Sequence, residues 1–310
     1  MEQSMASSNS DRPFPTVEGV EVTHRFLDVD GVKIHVAEAG AGEPLFMYHG
    51  WPQHWWMWRR QIPFFARRFR VIAPDMRGFG WSEAPNTSYG KDLLAAEFVH
   101  LVRAMGYDRI RLLSHDWGGW IGFIVCAKYP GLIAQHFANN IPPIFPKYDL
   151  QAIKATLRFG YMARLSFPFF GPRMLMRDGG RFVHHLLTRG GTRKGGWTEQ
   201  EKNLFSDPFK EPARAHASAR LYGGFLLKEY VPVGVFGKYK RLRIHTPTRL
   251  LFGEKDFALS LSLLRGAEGY FDDYQLELVP DAGHFIVDEQ PDLVNERAWA
   301  FFTDPRYANP

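Results

Sequence analysis

The sequence predicts an α/β protein with a mostly parallel sheet, flanked by helices and interrupted once by a helical module. Three observations predict it. Short apolar runs alternate with helix-period stretches near both ends of the chain. The runs are apolar throughout, not alternately polar. The alternation stops from Ile141 to about Lys240, where the chain is helical, basic and aromatic. Strands apolar on both faces belong to parallel sheets covered by helices.

Each element can be justified in order. The opening MEQSMASSNSDRPFP has no apolar stretch of the kind a secretory signal needs, so residues 1–18 read as a short mobile tail. Val20 to Gly42 holds two alternating stretches about Asp30-Gly31, the signature of a strand hairpin. Apolar runs follow at Pro44–Tyr48, ending in His49-Gly50, and at Phe69–Ala73, ending in Pro74-Asp75. Another lies at Ile110–Leu113, ending in Ser114-His115-Asp116. Helical patterns cover His54–Arg67, Lys91–Met105 and Trp117–Lys128. After Leu132–Asn139 the pattern breaks, then resumes at Thr248–Phe252 and Gln275–Val279, with a last helix over Asp292–Phe302. The chain of 310 residues thus divides into a core, 19–141 and 241–310, and an inserted helical cap, 142–240.

Composition narrows the functional classes. Hydrophobic residues make up 45% and aromatics 15%, enough for a large core. No run approaches the 18 or so apolar residues of a membrane span. The single cysteine, Cys126, leaves no internal disulfide and suits a cytoplasmic location. From Pro142 to Arg243 there are 19 Lys and Arg against 7 Asp and Glu, although the whole chain carries only +5. No nucleic-acid motif accompanies this asymmetry, so it reads as a solvated basic face and no nucleic-acid partner is expected.

The chemistry concentrates at Ser114-His115-Asp116-Trp117-Gly118-Gly119, where a strand meets a helix. Small residues two positions before and after Asp116 permit a tight turn that pushes the central side chain out over the sheet edge. Serine hydrolases build their nucleophile elbow this way, but the central residue here is aspartate. Serine attack on a saturated carbon would leave an ether. Carboxylate attack leaves an ester, whose carbonyl water can then attack. The pattern therefore suits opening of an epoxide or expulsion of a halide. The following helix favours the ionised carboxylate with its positive end. An aspartate in this place could also simply cap that helix.

A nucleophile of this kind needs a base, and the base an orienting acid. His284, in Asp281-Ala282-Gly283-His284-Phe285, follows the last strand and is the candidate base. Asp256, in Gly253-Glu254-Lys255-Asp256, follows the preceding strand and is the candidate acid, with Glu254 as runner-up. The place after the sixth strand holds Asn139 and Asn140, which carry no charge.

His49-Gly50-Trp51-Pro52, Asp75-Met76-Arg77-Gly78-Phe79-Gly80-Trp81-Ser82, the Asp116 elbow, Asp256 and Asp281-Ala282-Gly283-His284 together resemble the motifs of epoxide hydrolases with the α/β-hydrolase fold. Haloalkane dehalogenases are related to these. The match runs over roughly residues 20 to 303. It implies a mostly parallel eight-stranded sheet, an oxyanion hole formed by the backbone N–H groups of Trp51 and Trp117, and a cis bond before Pro52. The same resemblance implies two tyrosines from the cap that protonate the opening ring. Tyr222, in Ala219-Arg220-Leu221-Tyr222, and Tyr161, in Phe159-Gly160-Tyr161-Met162, match them, although Met162 and Gly223 stand where Gln and Arg are usual. Tyrosine stays protonated at neutral pH and so can serve as the acid. The implied partners are a lipophilic epoxide and water, in a monomer or homodimer, with no cofactor and no metal. The alternative is a haloalkane dehalogenase, in which the Trp117 indole would hold halide. Against it, the usual Asn of the His-Gly-x-Pro loop is replaced by Trp51.

Overall fold

A computed structural model describes residues 12–146, 160–192 and 196–307, without the side chains of Tyr161, Asp178 and Leu227. Asp30 and Gly31 both take positive φ, 53° and 76°, as a two-residue hairpin turn demands. They join β1 (Thr23–Val29) to β2 (Val32–Ala39), paired antiparallel with Val29 opposite Val32. The remaining strands are β3 (Glu43–Tyr48), β4 (Phe69–Pro74), β5 (Ile110–His115), β6 (Ile133–Asn139), β7 (Thr248–Gly253) and β8 (Tyr274–Val279). They form one eight-stranded sheet in the order β1-β2-β4-β3-β5-β6-β7-β8. Only the β1–β2 and β2–β4 pairings are antiparallel.

That order places the site. From β3 the chain steps to β4 on one side, then returns across β3 to β5 on the other. Neighbouring loops diverge at such a reversal, leaving a crevice beyond the carboxyl ends of the strands. The loops after β3 and β5, with His49-Gly50-Trp51 and Asp116, flank this crevice. Helices α2 (Lys91–Ala104) and α3 (Trp117–Lys128) pack on each other as crossovers. Ten of the twelve residues of α3 are buried, so it reads as apolar all round.

The stretch His54–Arg67 departs from the expected single helix. A 3-10 turn at Trp55–Trp58 is capped by His54, and α1 covers only Ile62–Phe65. Pro63 stands in the first turn of α1, where its missing N–H is harmless; it could not continue a helix from upstream. Two of the three tryptophans here are core: Trp55 and Trp58 are fully buried, whereas Trp56 is partly exposed.

All secondary structure described between β6 and β7 is helical apart from one isolated β-bridge residue, Ile244. It comprises α4 (Gly160–Ser166), α5 (Phe170–Met176), α6 (Arg181–Gly190), α7 (Glu199–Ser206) and α8 (Pro212–Gly224). A π-helical turn, Phe225–Glu229, and α9 (Tyr230–Gly234) follow. Thr198 and Glu201 form a reciprocal cap at the start of α7, and Pro212 opens α8. Helices α4 and α5 both pack on α8, which carries Tyr222. The chain closes with α10 (Ile286–Glu289) and α11 (Pro291–Phe302). Among the described residues no helix is long and apolar enough to cross a membrane.

Candidate active site

Asp116 lies between β5 and α3 with φ 48° and ψ −125°, a conformation that costs an L-residue energy and that the surrounding packing must hold. Two glycines make room for it. A Cβ on Gly118 would stand 2.2 Å from the Tyr48 carbonyl oxygen, and one on Gly50 would stand 2.4 Å from the Asp116 Cβ. The His-Gly-x-Pro loop and the elbow therefore interlock only because both glycines lack side chains. The peptide bond before Pro52 is cis.

The loop aims its backbone at the carboxylate. The Trp51 N–H donates to Asp116 Oδ2 at 2.9 Å, and the Trp117 backbone N–H is also directed at this carboxylate. His49 supports the loop from behind: its Nδ1 meets the Gly50 carbonyl at 3.0 Å and its Nε2 accepts the Met76 N–H at 2.9 Å.

Asp256 and His284 arrive from the loops after β7 and β8. His284 Nδ1 and Asp256 Oδ2 are 2.9 Å apart. Asp256 Oδ1 accepts the N–H groups of Ala258 and Leu259 at 2.7 and 2.9 Å. The runner-up, Glu254, is exposed to solvent. Two residues passed over in the sequence complete the arrangement. Asn140, at φ 44°, donates from Nδ2 to Asp256 Oδ2 at 2.8 Å and to the Gly283 carbonyl at 3.1 Å. His115 donates from Nε2 to the His284 carbonyl at 2.8 Å. Burial foremost, with the neighbouring His284 adding to it, pushes the His115 pKa down to about 3, so its ring is neutral. Neither role has a sequence signature, because each depends on loops more than 100 residues apart.

Burial raises the Asp116 carboxyl to about 6, with His284 and the N–H groups of Trp117 and Trp51 pulling the other way. Burial works against charge on His284, but Asp256 and Asp116 outweigh it and lift the imidazole to about 9. The two groups titrate as a pair. At neutral pH the favoured state is a carboxylate beside an imidazolium.

Asp116 and His284 face a cavity walled chiefly by Trp51, Trp117, Trp120, Tyr222, Phe225 and Phe257. Tyr222 is buried, with its ring edge-on to Trp51 (5.3 Å between centroids) and to Trp117 (5.6 Å). Edge-to-face pairs of this kind contribute about 0.5–1.5 kcal/mol each beyond burial. The Trp51 indole is engaged elsewhere, donating to Ser218 Oγ at 3.1 Å. The Tyr161 side chain lies outside the described residues; its neighbour Met162 lines the cavity, as does Tyr230. His184 contacts Ser206 Oγ at 2.9 Å, and Cys126 is buried beside His136, 3.9 Å away.

Residues 43–291 match the family model described as the alpha/beta hydrolase fold. Over 284 residues the chain is 30% identical to epoxide hydrolase 3 of Mus musculus, covering 88% of this chain and 75% of that protein. It is 28% identical to the soluble epoxide hydrolase of Corynebacterium sp. (strain C12), covering 92% of this chain and 99% of the other. The solved structure of the epoxide hydrolase CorEH without ligand superimposes with a TM-score of 0.80 at 26% identity, covering 91% of this chain and 99% of that one. The strand order, the aspartate elbow and these similarities agree: the chain belongs to the alpha/beta hydrolase fold family and is a hydrolase related to the epoxide hydrolases.

Proposed function

We propose that this hydrolase converts lipophilic epoxides to vicinal diols through an ester on Asp116. One observation carries the reading: a carboxylate, not a hydroxyl, stands at the elbow, met by backbone N–H groups and facing an apolar cavity that also holds Tyr222. The helical segment 142–240 acts as the cap that closes this cavity over the core.

In the first step an Asp116 oxygen attacks an epoxide carbon, the carbon–oxygen bond of the ring breaks, and the ring oxygen takes the phenolic proton of Tyr222. Tyr161 and Tyr230 are the candidates for a second hydrogen-bond donor. Esterification removes the Asp116 charge, one of the two charges that keep His284 protonated. The imidazole then gives up its proton to solvent or to the tyrosinate and becomes a base. In the second step His284, oriented by Asp256, takes a proton from water as its oxygen bonds to the Asp116 carbonyl carbon. The N–H groups of Trp51 and Trp117 hold the resulting oxyanion. The tetrahedral intermediate collapses, the diol leaves with its proton restored by His284, and the Asp116 carboxyl passes its remaining proton to the freed His284 imidazole, which restores the carboxylate and the imidazolium.

A single turnover in ¹⁸O-labelled water with enzyme in excess tests the route. The expected result is an unlabelled diol and one labelled oxygen in Asp116; label entering the diol directly, with none in the protein, overturns it. One observation favours a second reading, haloalkane dehalogenation: the buried Trp117 Nε1 has no hydrogen-bond partner within the described residues. The Trp51 indole is committed to Ser218, which leaves Trp120 Nε1, also on the cavity wall and buried without a partner among the described residues, as the other indole donor. Halide release from chloroalkanes without diol formation from styrene oxide would establish this second reading.

A further inference from the structure

Lys91, the first residue of α2, is fully buried, a rare state for an ammonium group. Its Nζ donates to the Leu221 carbonyl at 2.7 Å and reaches the Tyr89 carbonyl at 3.5 Å. It lies 4.4 Å from the centroid of the Trp117 ring and 5.5 Å from that of Phe225, where a desolvated cation is attracted to the ring face. Its backbone N–H donates to Glu229 Oε1 at 2.8 Å. One residue of the core thus touches the residue before Tyr222, the residue after Asp116, and the far end of the π-helical turn.

The π turn makes sense of these contacts. Where α8 runs into Phe225–Glu229, the Phe225 N–H is shared between the carbonyls of Leu221 and Tyr222. The ordinary helical ladder is loosened there, as at other π segments. The Lys91 ammonium supplies a strong donor to Leu221, and its backbone N–H anchors Glu229. The side chain of Phe225 meanwhile packs on Trp117 and Trp120.

We propose that Lys91 is a positioning residue for ring opening: by clamping both ends of the π turn it holds Tyr222 between Trp51 and Trp117, over Asp116. The assignment rests on the reading of Tyr222 as the ring-opening acid. It also accounts for a costly feature. Burial lowers the Lys91 pKa to about 8, partly offset by Glu229 and Asp116 and reinforced by Lys238, so the charge is retained at neutral pH against a strong desolvation penalty.

The test compares the full chain with Lys91→Met, Lys91→Arg, Tyr222→Phe and the Lys91→Met/Tyr222→Phe double variant. Rapid-quench kinetics with excess enzyme separate ester formation from ester hydrolysis. Lys91→Met should slow ester formation on the order of tenfold, leave hydrolysis unchanged, and keep or raise the melting temperature. Lys91→Arg should recover part of the loss. The double variant should be no slower than Tyr222→Phe alone, since Lys91 acts through Tyr222. Equal slowing of both steps with a lowered melting temperature would mark a purely structural lysine and overturn the assignment. So would losses that multiply in the double variant. If the wild-type chain forms neither ester nor diol from epoxides, the reading of function fails, and Lys91 is judged separately by a crystal structure of Lys91→Met. A Tyr222 ring displaced from between Trp51 and Trp117 supports the clamp; an unmoved ring overturns it.

Discussion

Two buried aspartates end neighbouring parts of the same sheet and have opposite characters. Asp75, just beyond β4, accepts the N–H groups of Trp55 and Trp81 at 2.7 and 2.8 Å and contacts His35 Nδ1 at 2.8 Å. Burial works against its charge, but His35 outweighs it and holds the carboxyl below the ordinary carboxylate range. Asp116, beyond β5, meets backbone N–H groups but also faces an apolar cavity, and burial raises it to about 6. Relative to a free carboxyl, ionising Asp116 costs about 3 kcal/mol. The comparison teaches that a saturated hydrogen-bond shell makes a carboxylate an anchor, whereas an incomplete one leaves it available to react.

Substitution tests this contrast most directly. Asp116→Ala should abolish diol formation by at least about 10⁴-fold with the melting temperature kept or raised, because a destabilised charge is removed. Asp75→Ala leaves three buried donors without an acceptor and should cost about 3–5 kcal/mol in denaturant unfolding. Equal stability losses in the two variants would break the comparison. His284→Gln should let ester form but not hydrolyse, so that protein mass spectrometry finds Asp116 carrying the substrate's mass. Tyr222→Phe should slow ester formation by about 10²-fold with little effect on hydrolysis of the ester.

The pH dependence sharpens the same contrast. Activity in kcat/KM should fall as pH drops through about 6, where Asp116 takes up a proton. The stability signs are opposite. The raised Asp116 pKa means the folded state binds a proton more readily between about 4 and 6, so its unfavourable contribution is relieved as pH falls through that window. Asp75, with a lowered pKa, contributes stability above the ordinary carboxylate pKa and loses it only at lower pH, as it titrates in the folded state. The smallest effect is expected for Asn140→Ala, which removes one of four hydrogen bonds to Asp256. A loss of about tenfold in ester hydrolysis, with ester formation intact, is the outcome to look for.

Much of this was legible along the chain. The Asp30-Gly31 hairpin, helix Trp117–Lys128 and the elbow are local features: turn chemistry and hydrophobic period depend on residues close in sequence. The segment His54–Arg67 was not, because its hydrophobic pattern suited a helix while packing and Pro63 divided it. The place of the candidate acid after β7 followed from order along the chain, which suits Glu254 and Asp256 alike; the exposure of Glu254 and the four hydrogen bonds on Asp256 did not follow from it.

The sequence by itself determined the fold class and singled out the aspartate at the elbow, since both depend on periodicity and residue type. Only the tertiary structure decided what surrounds that aspartate: the Gly50 and Gly118 interlock, the hold of Asn140 on Asp256 and of His115 on His284, and the buried Lys91 against the Leu221 carbonyl. These are contacts between strand-end loops and an insertion far apart in the chain. Their energies come from burial and hydrogen-bond geometry, which no local pattern of residues encodes.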